Sequence, residues 1–170
     1  KYGDKVRVVF KHNPLSFHKD APLASKYALA AGKQGKFWEM HDKLFENQRK
    51  LKEADLDGYA KELGLNVDQI KKDIKDLQKV LDADMALAKK VGARGTPNFL
   101  INGKQLAGAQ PLPRFTAVID EEIKAAEELI KKGTPKDQVY AARVKVNFKK
   151  PAAAANNKAK GPDTSTVYKI

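Results

Sequence analysis

The amino-acid sequence predicts an α/β fold in which a block of helices interrupts a small sheet. A β-branched run, Val6–Phe10, has the composition of a strand near the start of the chain. A second strand pattern, Asn98–Ile101, comes much later and leads into a hairpin turn. Between these two runs, apolar residues recur at helical spacing in several successive stretches that end at glycines.

The helices of this block are predicted from their caps and apolar faces. Asp20 is a candidate N-cap with Pro22 in the following turn, and Asn66 followed by Gln69 resembles a capping box. We expect the aromatic face to belong to the core rather than to a substrate groove, because its spacing is that of a buried helix face. The five faces expected are Leu23, Tyr27, Ala30 and Ala31; Phe37, Trp38, His41, Leu44 and Phe45; Leu56, Tyr59, Ala60 and Leu63; Val67, Ile70 and Ile74; and Leu77, Leu81, Met85 and Ala88.

The second strand region predicts a β-hairpin. Asn102-Gly103 follows the strand pattern, and this dipeptide favours a two-residue hairpin turn. Pro113 then opens a long helix, in which the acidic run 120–122 is expected to lie at the surface. One more short helix is expected from Pro135 to about residue 145.

The end of the chain has the composition of a linker. We expect a folded domain over residues 1–146 and an Ala/Lys/Pro-rich linker over 147–170, with a strand-like segment at Val167–Ile170. The net charge is +12, and residues 131–170 contribute ten basic and two acidic residues to it. This tail is rich in Lys, Ala, Asn and Pro instead of forming a clustered basic face with aromatic residues, so nucleic-acid binding is not expected. No apolar run in the sequence approaches the roughly 20 residues that span a bilayer, so membrane insertion is not expected either.

Several chemistries are excluded by residue content. The sequence contains no cysteine, so the chain itself can neither form a disulfide nor perform thiolate chemistry, and no catalytic residue is assigned. No metal site is expected, because no two of the three histidines, His12, His18 and His41, have the helical spacing of zinc ligands. Structural polar roles or simple exposure are expected for them, and no cofactor is expected.

Five stretches, in this order and spacing, resemble the DsbA-like branch of the thioredoxin superfamily. The resemblance covers residues 1 to about 145 and implies a thioredoxin-like fold with a helical insertion. The stretches are Tyr2-Gly3-Asp4-Lys5-Val6-Arg7-Val8-Val9; His12-Asn13-Pro14-Leu15 with His18; Gly35-Lys36-Phe37-Trp38-Glu39-Met40-His41-Asp42-Lys43-Leu44; Gly92-Ala93-Arg94-Gly95-Thr96-Pro97; and Phe99-Leu100-Ile101-Asn102-Gly103 leading to Gly108.

The resemblance implies that Gly95, Thr96 and Pro97 form the family's cis-proline loop, which binds substrate beside the redox cysteines. An X–Pro bond prefers trans by only about 0.5–1 kcal/mol, so a fold can hold it in cis. Such a loop exposes main-chain groups that can pair with an extended peptide. The alternative is an ordinary turn between a helix and a strand.

The resemblance also implies that a strand and a Cys-x-x-Cys helix of the family are missing before Lys1, which leaves the central sheet incomplete. The chain opens without an initiator Met or a signal peptide, so we expect a piece of a longer precursor. Three hypotheses follow. The missing segment is disordered or cut away; a swapped copy or the tail segment Val167–Ile170 fills the slot; or the chain belongs to a longer protein with a further such domain. We favour the last.

The expected function is therefore that of a thiol–disulfide oxidoreductase or isomerase of which this chain supplies the helical cap and the cis-proline loop, so that the chain alone is inactive. The alternative is a non-catalytic thioredoxin-like module that binds peptides or proteins. A weaker third possibility is a relative of the glutathione transferases. Protein substrates with thiols or disulfides, a swapped homodimer or a further domain of the same protein are the expected partners. The resemblance implies the bacterial cell envelope, in the periplasm.

Overall fold

The structure is a computed structural model that describes residues 1–149. Within these residues a short 3₁₀ turn at Gly3–Lys5 precedes a mixed arrangement of seven α-helices and one two-stranded sheet. This confirms the predicted α/β class. The elements are α1 (Ala21–Lys33), α2 (Phe37–Glu46), α3 (Glu53–Glu62), α4 (Val67–Asp73), α5 (Gln78–Lys90), β1 (Asn98–Ile101), β2 (Lys104–Ala107), α6 (Leu112–Lys131) and α7 (Lys136–Asn147).

Helices α1 to α4 enclose the main apolar core. Its central side chains are Tyr27, Met40, Leu56 and Ile70, one from each helix, and all four are fully buried. Four of the five predicted faces supply buried residues to the interior: those of α1, α3, α4 and α5, the last of which adds Leu81. Helical periodicity therefore located the core of this block correctly.

The aromatic face of α2 differs from the prediction. Phe37 packs against the core, but Trp38 is 46% exposed and Phe45 is 58% exposed. Met40, on the same helix, is the residue that enters the core. The aromatic spacing indicated an apolar face correctly, but part of that face is not covered by any of residues 1–149.

The helix caps follow the predicted positions with different partners. Asp20 is the N-cap of α1, yet its carboxylate pairs with Lys52 Nζ at 2.9 Å instead of capping the helix. Asn66 caps α4 by accepting a hydrogen bond from the main-chain N–H of Gln69 at 2.9 Å. The reciprocal partner is Gln34, whose side-chain oxygen accepts from the Asn66 N–H. The capping box is thus completed by the end of α1, which ties α1 to α4.

The predicted hairpin is present. Strand β1 pairs antiparallel with β2, with Ile101 opposite Lys104. Asn102 and Gly103 form the two-residue turn with φ of 46° and 92°, the left-handed conformations that such a turn requires.

The segment Val6–Phe10 was predicted as a strand but pairs with no strand among residues 1–149. It stays outside the regular elements, and Val8 and Val9 are 70% and 60% exposed. A strand is stabilised by its cross-strand neighbours, so β-branched composition alone does not produce a ladder.

A buried charge cluster joins the hairpin to α6 and α7. Glu122 of α6 is only 2% exposed, which corrects the expectation that the whole acidic run 120–122 lies at the surface. Its carboxylate accepts two hydrogen bonds from Arg143 of α7, at 2.9 and 3.0 Å, and pairs with Lys104 of β2 at 3.1 Å. The Asn147 side chain donates to the carbonyl of Asn102 in the hairpin turn at 3.1 Å. Helix α7 is therefore anchored beside the hairpin by polar contacts.

Among residues 1–149, no helix combines the length and the apolar composition needed to cross a bilayer. Helix α7 ends at Asn147, close to the predicted domain boundary at residue 146. The predicted strand-like segment Val167–Ile170 lies outside the described residues.

Candidate functional site

The loop 92–97 between α5 and β1 is the candidate peptide-binding site. Gly92 ends α5 with a φ of 76°, and the main-chain N–H of Ala93 donates back to Ala88 at 2.9 Å. The loop then reaches Thr96–Pro97, whose peptide bond is cis. The carbonyl of Pro97 accepts a hydrogen bond from the N–H of Gly108 at 2.9 Å, so the loop is tied to the end of the hairpin.

The three residues predicted for this site lie together at the surface. Thr96 and Pro97 are exposed and Gly95 is half-buried. A Cβ added at Gly95 would meet no atom within 4 Å, so the space beside the loop is open. The loop therefore offers accessible main-chain groups directly before β1.

Strand β1 has one free edge in the described part of the chain. Its partner β2 occupies one side, and no other strand among residues 1–149 pairs with it. Phe99 and Leu100 in this strand are each partly exposed. An edge of this kind presents unpaired N–H and C=O groups that can accept a further strand.

The segment after Val6–Phe10 is fastened to α5 and to the candidate loop. The main-chain N–H of His12 donates to Asp84 Oδ2 at 3.0 Å, and Lys11 Nζ pairs with Asp84 Oδ1 at 2.8 Å. Asn13 Nδ2 donates to the carbonyl of Ala93 at 3.2 Å. Buried Asp84 thus anchors the residues that follow Val6–Phe10 to α5. Asn13 in turn anchors these residues to the start of the loop. Sequence reasoning missed Asp84, although it lies on α5 between the predicted core positions Leu81 and Ala88.

An aromatic cluster adjoins this segment. Phe10 contacts His12, Phe37, Trp38 and His41, with ring centroids 5.0, 5.5, 6.3 and 5.1 Å away. Phe45 extends the cluster through His41 at 4.7 Å. Trp38 and Phe45 remain partly exposed, so the cluster leaves apolar side chains uncovered by residues 1–149.

His12 is the most unusual polar group near the site. It is 6% exposed, and among the described residues its Nε2 is the one buried side-chain nitrogen or oxygen without a hydrogen-bond partner. Burial lowers the pKa of His12 below its ordinary value, while Asp84 acts in the opposite direction. The ring is therefore neutral near pH 7.

Residues 1–149 contain no group of three or more acidic or histidine side chains placed to hold a metal ion. The sequence contains no cysteine, so it provides no thiol for redox chemistry. Disulfide exchange at this loop would therefore require a thiol from outside residues 1–170.

Comparison with known proteins identifies the family. Residues 2–120 match the DSBA-like thioredoxin domain. Curated relatives include Na⁺/H⁺ antiporter NhaA 1 of Salinispora arenicola, 38% identical over 119 residues that cover 67% of this chain and 18% of the relative. They also include Na⁺/H⁺ antiporter NhaA of Herminiimonas arsenicoxydans, 36% identical over 121 residues that cover 70% of this chain and 19% of the relative. A third is Na⁺/H⁺ antiporter NhaA 1 of Mycobacterium sp. (strain KMS), 34% identical over 113 residues, with 63% of this chain and 18% of the relative covered.

No solved structure matches the chain. The chain spans less than a fifth of the length of the three relatives named, at 18% and 19% of each. The family match extends over most of the described residues and includes the helical block, the cis Thr96–Pro97 loop and the hairpin. The chain belongs to the DSBA-like thioredoxin domain family.

Proposed function

We propose that this chain forms the substrate-binding part of a DsbA-like thiol–disulfide oxidoreductase or isomerase whose redox cysteines lie outside residues 1–170. The observation that carries the proposal is the exposed Thr96–Pro97 loop, which leads directly into β1, a strand with one unpaired edge in the described chain. Family membership supports the same role.

The geometry is suited to an extended substrate. An extended peptide can pair through main-chain hydrogen bonds with the exposed Thr96–Pro97 loop, and pockets on either side of the loop then select its side chains. The free edge of β1 and the exposed side chains of Val8 and Val9 remain available for a further strand of the complete domain. Disulfide exchange passes through a mixed disulfide, so an enzyme of this class must hold the substrate chain beside its own sulfur.

The thiol-bearing segment is proposed to supply a central strand between Val6–Phe10 and β1, followed by a helix that carries Cys-x-x-Cys. The N-terminal end of a helix lowers the pKa of a thiol and favours the thiolate. The segment comes either from the same polypeptide or from a second copy by swapping. A periplasmic location accompanies this proposal, because disulfides form and persist in oxidising compartments.

A second candidate is favoured by the curated relatives, which are named as Na⁺/H⁺ antiporters and not as redox enzymes. The chain would then be a DsbA-like domain attached to a larger transport protein, where it binds peptides or proteins without redox chemistry. Because each named relative is much longer than the matched region, the complete reading frame separates the candidates. A Cys-x-x-Cys within about 30 residues upstream of Lys1 supports the enzyme, and its absence supports the binding module.

The direct test is reduction of insulin by the complete gene product, with Thr96→Arg as the site variant. Thr96 is exposed, so we expect the free energy of unfolding to change by less than about 0.5 kcal/mol. A bulky cation at this position should obstruct the peptide and lower kcat/KM by roughly tenfold or more, an effect of about 1.4 kcal/mol on the transition state.

Gln138→Arg serves as the matched control, since it adds the same charge at an exposed position of α7. We expect wild-type kcat/KM for this control. Full activity in Thr96→Arg, or no insulin reduction by the wild-type gene product, would contradict the proposed enzyme function.

A further inference from the structure

The short segment around His12 joins α5 to the candidate peptide-binding loop. The main-chain N–H of His12 donates to Asp84 of α5 at 3.0 Å, and Lys11 Nζ pairs with the same carboxylate at 2.8 Å. On the other side, Asn13 Nδ2 donates to the carbonyl of Ala93, where the loop begins, at 3.2 Å. If this segment moves away from α5, the loop therefore loses a hydrogen bond at its first residues.

The imidazole ring of His12 lies in an apolar surrounding and is almost completely shielded from water. The residue is 6% exposed, and its ring packs edge-on against Phe10 and Phe37, with ring centroids 5.0 and 5.9 Å away. Its Nε2 has no hydrogen-bond partner in residues 1–149, whereas every other buried side-chain nitrogen or oxygen there has one. Such a surrounding accepts a neutral ring far more readily than a charged one, because a buried charge without a partner is costly.

The groups that face the ring do not compensate a positive charge on it. Burial has the largest effect and lowers the pKa of His12; Asp84 on α5 raises this pKa, whereas His41 on α2 and the neighbouring Lys11 lower it. The Asp84 carboxylate already pairs with Lys11 and accepts the main-chain N–H of His12. Uptake of a proton by the ring therefore favours any arrangement in which the imidazolium reaches water.

We propose that His12 is a pH-sensitive switch: when its ring takes up a proton from solvent, the segment around it detaches from α5 and releases the candidate loop at Ala93. The closed state is stabilised fully above the ordinary histidine pKa of 6.5, and this stabilisation declines as the pH falls below that value, because burial lowers the pKa only in the closed state. The switch involves described residues alone, so it does not require redox cysteines. Weaker peptide binding in acid is a further consequence, which rests on the proposed function.

The test measures amide hydrogen exchange in the complete gene product at about pH 7.5 and about pH 5.5, expressed as protection factors so that the intrinsic pH dependence of exchange is removed. We expect the protection of the His12 amide to fall by up to about tenfold between these values, because the ring is protonated at the lower pH mainly in the detached state. The amides of Leu56 and Ala60 in α3 serve as the internal reference and should keep their protection.

His12→Gln and His12→Leu place a side chain that takes up no proton at this position, so the protection of the same amide should no longer depend on pH. If one of these variants does not fold, the other provides the measurement. His18→Gln is the matched control at an exposed histidine before α1, and it should keep the wild-type pH response. Equal protection at both pH values in wild type, or a wild-type response in a folded His12 variant, would overturn the switch. Neither result bears on insulin reduction, which tests the proposed function separately.

Discussion

The helical block and the hairpin region are stabilised in different ways. Helices α1 to α4 surround fully buried Tyr27, Met40, Leu56 and Ile70, and their contacts are mainly apolar. The hairpin with α6 and α7 has few buried apolar side chains. Its centre is instead the carboxylate of Glu122, which is bound by Arg143 and Lys104.

The difference shows which part of the domain is complete. The helical block buries its own apolar residues, whereas Val8 and Val9 of the unpaired segment and partly Phe99 of β1 remain exposed. A small sheet needs three or more strands or a covering layer for independent stability. We therefore expect the helical block to resist unfolding on its own and the sheet side to depend on a further strand.

The largest effect is expected in the apolar core. Leu56→Ala removes a fully buried side chain from α3, so we expect the free energy of unfolding to fall by about 3–4 kcal/mol through lost burial and cavity formation. Leu112→Ala is the matched control at an exposed position of α6 and should cost less than about 0.5 kcal/mol. Urea denaturation followed by circular dichroism measures both. Equal losses would show that the two regions do not differ as described.

The next effect concerns the buried charge cluster. Arg143→Met leaves the buried Glu122 carboxylate with Lys104 as its remaining cation. We therefore expect the free energy of unfolding to fall by about 2–3 kcal/mol at pH 7. Burial opposes ionisation of Glu122, but the hydrogen bonds from Arg143 and Lys104 prevail and lower its pKa from 4.5 to about 2.

A lowered folded-state pKa stabilises the protein above the unfolded-state value, and this contribution disappears as the pH falls from about 4.5 toward 2. The difference in the free energy of unfolding between wild type and Arg143→Met should therefore become smaller as the pH falls over that range. Urea denaturation at several pH values measures it, with Arg49→Met as a control at an exposed arginine. A difference that stays constant down to pH 2 would exclude the Glu122 pairing as its cause.

A smaller effect is expected where α7 meets the hairpin turn. A Cβ at Gly103 would lie 3.2 Å from both Phe148 N and Val144 Cα, and φ there is +92°. Gly103→Ala should therefore lower the free energy of unfolding by about 2 kcal/mol, because the φ is unfavourable for alanine and the added Cβ displaces α7. Gly133 has the same φ but open space around it, so Gly133→Ala should cost only about 1 kcal/mol. Thermal unfolding of the two variants compares these costs, and identical values would argue against close packing of α7 on the turn.

The sequence was most informative where structure depends on neighbouring residues. Helical spacing identified the buried positions of α1, α3 and α5, and Asn102-Gly103 identified the turn, since positive φ at both residues is what that dipeptide favours. The site loop could be located only through resemblance to a family. Composition alone does not distinguish Gly95-Thr96-Pro97 from an ordinary turn.

Other features depend on distant contacts and were missed. Val6–Phe10 has the composition of a strand but no partner among residues 1–149. Burial of Glu122 depends on Arg143, which lies on another helix. Its position was a usable signal, because it follows Phe115 and Ile119 at helical spacing on the apolar face of α6. The anchoring role of Asp84 and the unpartnered Nε2 of His12 became visible only in three dimensions.

Amide hydrogen exchange at Val8, Val9 and Leu100 tests the central claim most directly, namely that a further strand pairs beside these residues in the complete domain; the amide of Leu100 faces the free edge of β1. The measurement compares residues 1–170 with the complete gene product and uses the amides of Leu56 and Ala60 in α3 as an internal reference. We predict that the amides of the Val6–Phe10 segment exchange rapidly in residues 1–170 and are protected by at least about a hundredfold in the complete protein. Equally rapid exchange in both proteins, with α3 protected in each, would contradict the account.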